Sequence, residues 1–158
     1  MSRIRPRRPG TEQTVLFVCV ENACRSLMAE AIFNAHAPAE WRANSAGTRP
    51  AVAPNARTAP MLNEIGVELP RHPPQLLTPD LLQSARICVT MGCLDDASCP
   101  AFLRAVEVRD WGLPNPSDLD DSEFRGVRDR LVALIEALRG EPPIGRRKAV
   151  RTLPSACR

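Results

Sequence analysis

Alternating strand-like and helix-like segments predict an α/β fold, a three-layer open sheet of four parallel strands flanked by helices on both faces. The first strand-like run, Val15 to Val18, is apolar throughout, which is typical of a central parallel strand buried on both faces. Helical segments separate the strand-like runs, and such connections join parallel strands by right-handed crossovers. Ligands bind at the carboxyl ends of the strands in sheets of this kind.

Each element in the first half of the chain has a local signal. The helix after the first strand has apolar residues at helical spacing and is followed by Pro38. Gly47 closes the second strand. Asn55 is a favourable cap for the next helix, and Gly66 ends it, because glycine readily adopts the left-handed conformation found at helix C-termini. The predicted elements are strand 13–19, helix 26–36, strand 42–46 and helix 55–65.

The second half repeats the alternation. Thr78 and Pro79 predict the start of a short helix, because Thr caps helices well and Pro fits the first helical position. Two runs of β-forming residues predict the remaining strands. The last helix has a long apolar stripe from Phe124 to Leu138. The predicted elements are helix 78–84, strand 86–91, strand 106–110 and helix 121–139.

The length and the charge distribution fit one domain between two basic tails. The 158 residues are enough for one well-buried core. Residues 1–10 contain four arginines, and residues 141–158 contain five basic residues and one acidic residue, Glu141. The segment between these two ends is therefore acidic, although the net charge of the whole chain is +3. We therefore expect a disordered basic tail at 1–12, one domain at 13–140 and a flexible basic tail at 141–158.

Composition argues against several classes of protein. No apolar run approaches the roughly 18 residues of a membrane span, so we expect no membrane partner. The N-terminus lacks the apolar stretch of a secretory signal, so we expect a cytoplasmic protein. With two Trp, four Phe and no Tyr, the chain offers no aromatic platform for bases, and we expect no nucleic-acid partner. The six cysteines and two histidines lack the spacing of common zinc sites, so we expect no structural metal centre.

A candidate active site lies at the end of the first strand. Cys19 ends that strand, and Arg25 and Ser26 begin the following helix. A loop in this position points several backbone N–H groups at one spot, where the helix dipole adds positive potential that also favours a thiolate. Arg25 adds a planar fork of donors suited to a tetrahedral oxyanion. The alternative is a buried strand cysteine beside an unrelated surface arginine. The predicted oxyanion-binding residues are Val20, Glu21, Asn22, Ala23, Cys24 and Arg25.

Two other loops meet this one in the predicted fold. The loop after the third strand carries Cys93 and Cys99, and the loop after the fourth strand carries Asn115. Because the carboxyl ends of parallel strands share one edge of the sheet, these side chains can come close to Cys19. Cys88 lies within the third strand and is predicted to belong to the core.

Five segments of the chain carry a family resemblance. They are Cys19–Glu30, Asn44–Thr48, Val89–Cys93 with Cys99-Pro100, Asp110–Pro114 and Ser122–Asp129. Together they resemble the thioredoxin-coupled arsenate reductases, which share a Rossmann-like fold with the low-molecular-weight protein tyrosine phosphatases. The reductase branch fits better for three reasons. Leu27 follows Arg-Ser where the phosphatases usually have Pro, the chain lacks the Tyr of their acid loop, and phosphatases do not need Cys93 and Cys99.

The resemblance implies a reductase mechanism that uses three thiols. Cys19 attacks arsenate and forms a thiol–arsenate adduct. Cys93 then attacks Cys19 and releases arsenite, and Cys99 moves the disulfide to Cys93–Cys99, where thioredoxin reduces it. We also expect Ser26 to hydrogen-bond the Cys19 thiolate and Asn22 to hold the loop in shape.

Two departures from the family pattern concern the chemistry beside the loop. Asn115 stands where the family has an Asp that acts as general acid, and losing a general acid costs about 10²–10⁴ in rate. We expect this loss to harm cleavage of phosphate esters more than reduction of arsenate. Some members also bind potassium beside the loop. Asn22, Glu30 and Ser45 match that ligand set, but Gln75 stands where an acid is expected.

The sequence therefore leaves three hypotheses for function. The first is an arsenate reductase whose partners are arsenate, or another tetrahedral oxyanion, and thioredoxin, with no tightly bound cofactor. The second is a low-molecular-weight protein tyrosine phosphatase, which would cleave aryl phosphate without a reductant. The third is a non-catalytic module that binds oxyanions or senses redox state, and it would bind sulfate or phosphate without turning over arsenate.

Overall fold

A computed structural model contains the open parallel sheet that the sequence predicts. The structure describes residues 12–92, 108–142 and 144. The elements in chain order are β1 (Gln13–Cys19), α1 (Arg25–Ala35), β2 (Trp41–Gly47), α2 (Thr58–Asn63), α3 (Pro79–Gln83), β3 (Ala85–Thr90), β4 (Val108–Asp110), a 3₁₀ turn (Pro116–Asp118) and α4 (Asp121–Gly140). The strand order is β2-β1-β3-β4, and every strand pair is parallel.

The central strand β1 fixes the position of the loop that follows it. Its last residue, Cys19, pairs with Gly47 at the end of β2. The loop after β1 passes so close to Gly47 that a Cβ atom there would lie 2.5 Å from the Val20 carbonyl oxygen. A side chain at this position would therefore collide with the loop backbone.

Alternate residues of β1 enter cores on opposite faces of the sheet, because successive side chains of a strand point to opposite sides. Val15 and Phe17 pack with α1, α2 and α4 in the larger core. Leu16 and Val18 pack on the other face with residues of α3 and its flanks, including Leu82. The prediction of helices on both faces is confirmed, and the predicted core position of Cys88 is also confirmed.

Helix α1 is buried all round its first nine residues, from Arg25 to Phe33, whereas the sequence predicts a single apolar face. The helix contacts β1, β2 and α4, so little of its circumference reaches solvent. Small residues such as Ala29 let the neighbouring elements approach closely. One consequence is that a carboxylate on this helix, Glu30, is buried with only 3% of its surface exposed.

The predicted start of α2 is wrong by three residues. Asn55 does not cap the helix. Its Oδ1 accepts a hydrogen bond from the Arg57 backbone N–H at 2.9 Å, and its carbonyl accepts one from the Thr58 N–H at 3.0 Å, which makes a turn before the helix. The start of α3 is as predicted, since Thr78 caps it by accepting from the Leu81 N–H at 3.2 Å.

Helix α4 follows its predicted bounds to within one residue and packs its apolar stripe into the larger core. None of the helices in the described part of the chain is long and apolar enough to cross a membrane. The two predicted tails, apart from a few residues at their inner ends, and the segment with Cys93 and Cys99 lie outside the described residues.

Candidate active site

The loop after β1 turns its carbonyl groups away from the cavity above it. Backbone N–H groups of residues 48–55 donate to four of these carbonyl oxygens over 2.8–3.2 Å, and the Thr58 hydroxyl donates to the Ala23 carbonyl at 2.8 Å. The carbonyls that accept the backbone bonds belong to Cys19, Val20, Glu21 and Ala23. Since the carbonyls are engaged on the outside, the loop's own N–H groups are left on the inside, where they suit an anion.

Asn22 holds the shape of this loop from behind. Its backbone has φ of 51°, a left-handed conformation that Asn tolerates better than most residues. Its side chain is fully buried, donates to the Ser26 hydroxyl oxygen at 2.7 Å and accepts from the Gln75 N–H at 3.0 Å. Asn22 is therefore a structural residue of the loop and does not line the cavity as the other predicted oxyanion-binding residues do.

The Cys19 sulfur lies at the base of the cavity with two polar partners. Its Sγ is 2.9 Å from the Ser26 Oγ and accepts from the Asn22 backbone N–H at 3.2 Å. Because the Asn22 amide already donates to Ser26, the Ser26 hydroxyl proton is free to point at the sulfur. These two contacts fix the sulfur at the base of the cavity, where it can attack a bound oxyanion.

The neighbouring thiol of Cys24 has a different environment. Burial raises the pKa of Cys24 to about 11, although a hydrogen bond with Thr58 and the charge of Arg25 act in the opposite direction. Cys24 therefore stays protonated near neutral pH. Of the two thiols in the loop, Cys19 is the candidate nucleophile.

Arg25 is held so that its guanidinium forms one wall of the cavity. It is 5% exposed, and its Nη1 donates to the Leu113 carbonyl at 2.8 Å and to the Met91 carbonyl at 3.4 Å. These carbonyls follow β4 and β3, so the loops of three neighbouring strands meet at this side chain. An arginine fixed in this way is prepared to bind a tetrahedral oxyanion through its planar donor fork.

The cavity itself has a volume of about 370 Å³, ample for a tetrahedral oxyanion. Among the described residues, Glu21 is the only carboxylate in its lining. The residues that line the cavity are Cys19, Val20, Glu21, Ala23, Cys24, Arg25, Gly92, Leu113, Pro114 and Asn115.

Asn115 lines the cavity but brings no acid to it. Its Oδ1 accepts from the backbone N–H two residues on, at 3.1 Å, because it caps the 3₁₀ turn. Asp118, Asp120 and Asp121 follow it in sequence, and none of them lines the cavity. Asp120 instead caps α4, and Asp121 pairs with Arg57 at 3.2 Å. None of these three carboxylates therefore replaces the acid that the family has at the position of Asn115.

The predicted partners of Cys19 in a disulfide relay, Cys93 and Cys99, lie outside the described residues. Gly92, which directly precedes Cys93, lines the cavity and has φ of 78°. A Cβ atom on Gly92 would lie 2.6 Å from the Gly112 Cα, so the loops after β3 and β4 cross closely here. The chain therefore enters the Cys93 segment from the edge of the cavity.

Sequence reasoning missed His72, which lies behind the loop and contacts the predicted potassium ligand Glu30. The His72 Nε2 is 2.8 Å from both carboxylate oxygens of Glu30, and Ser45 Oγ donates to one of them at 3.2 Å. Burial raises the pKa of Glu30, while the bonds from His72 and Ser45 act against that rise. The pKa of His72 is also raised although burial opposes it, because the Pro73 carbonyl and Glu30 favour the imidazolium.

A cysteine beneath an anion-binding loop, at the carboxyl edge of a parallel sheet, defines a class of enzymes that attack tetrahedral oxyanions with a thiolate. Residues 14–141 match the family model described as low molecular weight phosphotyrosine protein phosphatase. The chain belongs to this family, on its arsenate reductase branch, as relatives that are more than 30% identical to it show.

The relatives cover most of the chain. The chain is 36% identical to arsenate reductase 1 of Staphylococcus epidermidis over 126 residues. The aligned region covers 79% of this chain and 94% of that protein. An arsenate reductase structure from Archaeoglobus fulgidus superimposes with a TM-score of 0.68 at 32% identity, covering 80% of this chain and 99% of that one. A thioredoxin-dependent arsenate reductase of Corynebacterium glutamicum gives a TM-score of 0.68 at 29% identity, covering 83% of this chain and 62% of that one.

Proposed function

We propose that this chain is an arsenate reductase that converts arsenate to arsenite and is regenerated by thioredoxin. The observation that carries the proposal is the Cys19 sulfur, which has two hydrogen-bond partners at the base of a cavity lined by the loop and by Arg25. The named activities of the relatives support the choice of arsenate as substrate. The thiol chemistry also requires a reducing compartment, which supports a cytoplasmic location.

In the first step the Cys19 thiolate attacks the arsenic atom of arsenate bound by the loop amides and Arg25. A sulfur–arsenic bond forms, and one arsenate oxygen takes up protons from solvent and leaves as water. Arsenic remains in the pentavalent state, because no electrons have yet been transferred. Arg25 and the amides stabilise the negative charge on the remaining oxygens.

The next steps transfer two electrons and move the disulfide. The Cys93 thiolate attacks the Cys19 sulfur, so that a sulfur–sulfur bond forms and the sulfur–arsenic bond breaks. The electron pair of the broken bond goes to arsenic, which leaves as arsenite. The Cys99 thiolate then attacks Cys93 and frees the Cys19 thiolate. A dithiol of thioredoxin reduces the Cys93–Cys99 disulfide and becomes oxidised itself.

The lack of an acid at Asn115 fits arsenate better than a phosphate ester. An aryl or alkyl ester must expel an alkoxide-like group, and a general acid beside it contributes about 10²–10⁴ in rate. Arsenate loses only a hydroxyl group, and arsenic–oxygen bonds exchange readily in water. Solvent can supply the proton that Asn115 cannot.

The test is arsenate-dependent oxidation of NADPH in the presence of thioredoxin and thioredoxin reductase. Wild type should turn over many times, and Cys19→Ser, Cys93→Ser and Cys99→Ser should each abolish multiple turnover. Cys157→Ser is the matched control and should keep full activity. A wild type that shows no arsenate-dependent oxidation, or a Cys19→Ser variant that keeps it, would contradict the proposal.

The second candidate is a low-molecular-weight phosphatase, which the description of the matching family favours. Turnover of p-nitrophenyl phosphate without a reductant, together with no arsenate turnover, would make this the better assignment. A third outcome, tight sulfate or phosphate binding with turnover of neither substrate, would indicate a non-catalytic oxyanion-binding or redox-sensing module.

A further inference from the structure

The residues that match a potassium site are bonded to one another and to a histidine. Both oxygens of Glu30 lie 2.8 Å from the His72 Nε2, and Ser45 Oγ donates to one of them at 3.2 Å. The side-chain oxygen of Asn22 accepts from the Gln75 N–H at 3.0 Å. These oxygens already accept hydrogen bonds, and Gln75, which stands where the family has an acid, directs an amide donor at the Ser45 carbonyl at 2.7 Å. The set therefore lacks both the negative charge of that acid and the free oxygens that a potassium ion would need.

Glu30 needs a partner because it is a buried carboxylate. Only 3% of its surface is exposed, and an unpaired charge in such a position is strongly unfavourable. His72 comes from a different part of the chain, 42 residues away, and its ring reaches both carboxylate oxygens. Its Nδ1 is 2.8 Å from the Pro73 carbonyl oxygen, so both ring nitrogens have partners that fix the ring.

A continuous chain of hydrogen bonds runs from this pair to the nucleophile. Gln75 Nε2 donates to the Ser45 carbonyl at 2.7 Å, and its backbone N–H holds Asn22. Asn22 in turn contacts Ser26 and Cys19. The His72–Glu30 pair is therefore connected to the Cys19 sulfur through Ser45, Gln75 and Asn22.

We infer that His72 is the built-in partner of the buried Glu30 carboxylate, in the place where a potassium ion would otherwise bind, and that it positions the nucleophile loop without a metal. The inference does not rest on the proposed function, because it concerns folding and the reactivity of one thiol. His72 is accordingly a positioning residue that acts on Cys19 through the Ser45–Gln75–Asn22 contacts.

The first test measures thermal unfolding of the full chain in potassium chloride and in sodium chloride at equal ionic strength. Wild type should show the same melting temperature in both salts. His72→Ala opens the Glu30 oxygens to a cation, so its melting temperature should be about 2–5 °C higher in potassium at concentrations about tenfold above the dissociation constant. His36→Ala removes the other histidine and should behave as wild type does.

The second test follows alkylation of Cys19 by iodoacetamide, a readout that general destabilisation would not make potassium-dependent. His72→Ala should react more slowly than wild type in sodium, and potassium should restore the rate. His72→Gln keeps a side-chain N–H donor and should be affected less, so it serves as the second variant if His72→Ala fails to fold. A potassium-specific change in wild type, or none in either His72 variant, would overturn the inference.

Discussion

The Ser26 Oγ lies 2.9 Å from the Cys19 Sγ, and the Asn22 side chain donates to the same hydroxyl oxygen at 2.7 Å. The hydroxyl proton is thereby directed to the sulfur. Hydrogen bonds to charged groups contribute about 1.5–3 kcal/mol, so this contact should matter for the thiolate more than for the thiol.

We predict that Ser26→Ala slows alkylation of Cys19 at pH 7 by on the order of 10- to 100-fold, the factor that such a hydrogen bond represents. Mass spectrometry after timed treatment with iodoacetamide measures the rate for this cysteine alone. Ser122→Ala, on the exposed first turn of α4, is the control and should leave the rate unchanged. An unchanged rate in Ser26→Ala would mean that the hydroxyl does not stabilise the thiolate.

Asn115→Asp tests whether the missing acid is what limits ester cleavage. The substitution places a carboxyl group on the wall of the cavity, and we predict a rise of about 10²–10⁴ in the hydrolysis of p-nitrophenyl phosphate. Asn115→Ala removes the same amide without adding an acid and should give no rise. If Asn115→Asp is no better than Asn115→Ala, the loop does not hold this side chain where a leaving group would be.

Arg57 fixes the loop that carries Asn115. Its guanidinium donates to the Leu119 carbonyl at 2.7 Å, to the Pro116 carbonyl at 3.0 Å and to the Ser117 carbonyl at 3.1 Å. The guanidinium carbon also lies 4.8 Å from the centre of the Phe124 ring. One side chain thus ties together three carbonyl groups of the segment that runs from the 3₁₀ turn to α4.

We predict that Arg57→Ala lowers the free energy of unfolding by about 1–3 kcal/mol, because several carbonyl groups lose a donor together. Urea denaturation gives the value. Arg125→Ala removes an exposed arginine that pairs with Glu64 and should cost clearly less than Arg57→Ala, because exposed ion pairs contribute little to stability. Equal losses in the two variants would show that the loop does not depend on Arg57.

Glu64 gives the protein a defined acid dependence. Hydrogen bonds from Arg125 and Arg128 lower the pKa of this carboxyl from 4.5 to about 2. A lowered pKa in the folded state adds stability that is present above pH 4.5 and is lost as the pH falls through about 2. Glu64→Gln should therefore lose stability at pH 6 and show a flatter fall in melting temperature between pH 4.5 and 2. Glu136→Gln, on α4, should keep the wild-type slope.

The sequence predicts strand β1 to the residue because its apolar run and the loop that follows are both local signals. The same locality explains why the sequence places Cys19, Arg25 and Ser26 next to one another, as the structure does. Helix α1 is different, since nothing in its sequence reveals how many elements surround it. Its burial on all sides depends on the packing of β1, β2 and α4.

The contacts that the sequence could not predict join residues far apart in the chain. His72 and Glu30 are 42 residues apart, and Arg57 and Leu119 are 62 apart. No spacing rule relates such pairs, because their approach depends on the assembled sheet and on loops without regular structure. The start of α2 was missed for a local reason, since Asn55 uses its side chain in a turn rather than in a helix cap.

The most direct test of the proposed chemistry is a single turnover without thioredoxin. Fully reduced protein is mixed with arsenate, arsenite is quantified by chromatography, and disulfides are mapped by mass spectrometry. Wild type should release one arsenite per chain and form a Cys93–Cys99 disulfide, whereas Cys99→Ser should stop at a Cys19–Cys93 disulfide. Arsenite release without any disulfide, or from Cys19→Ser, would overturn the three-thiol mechanism.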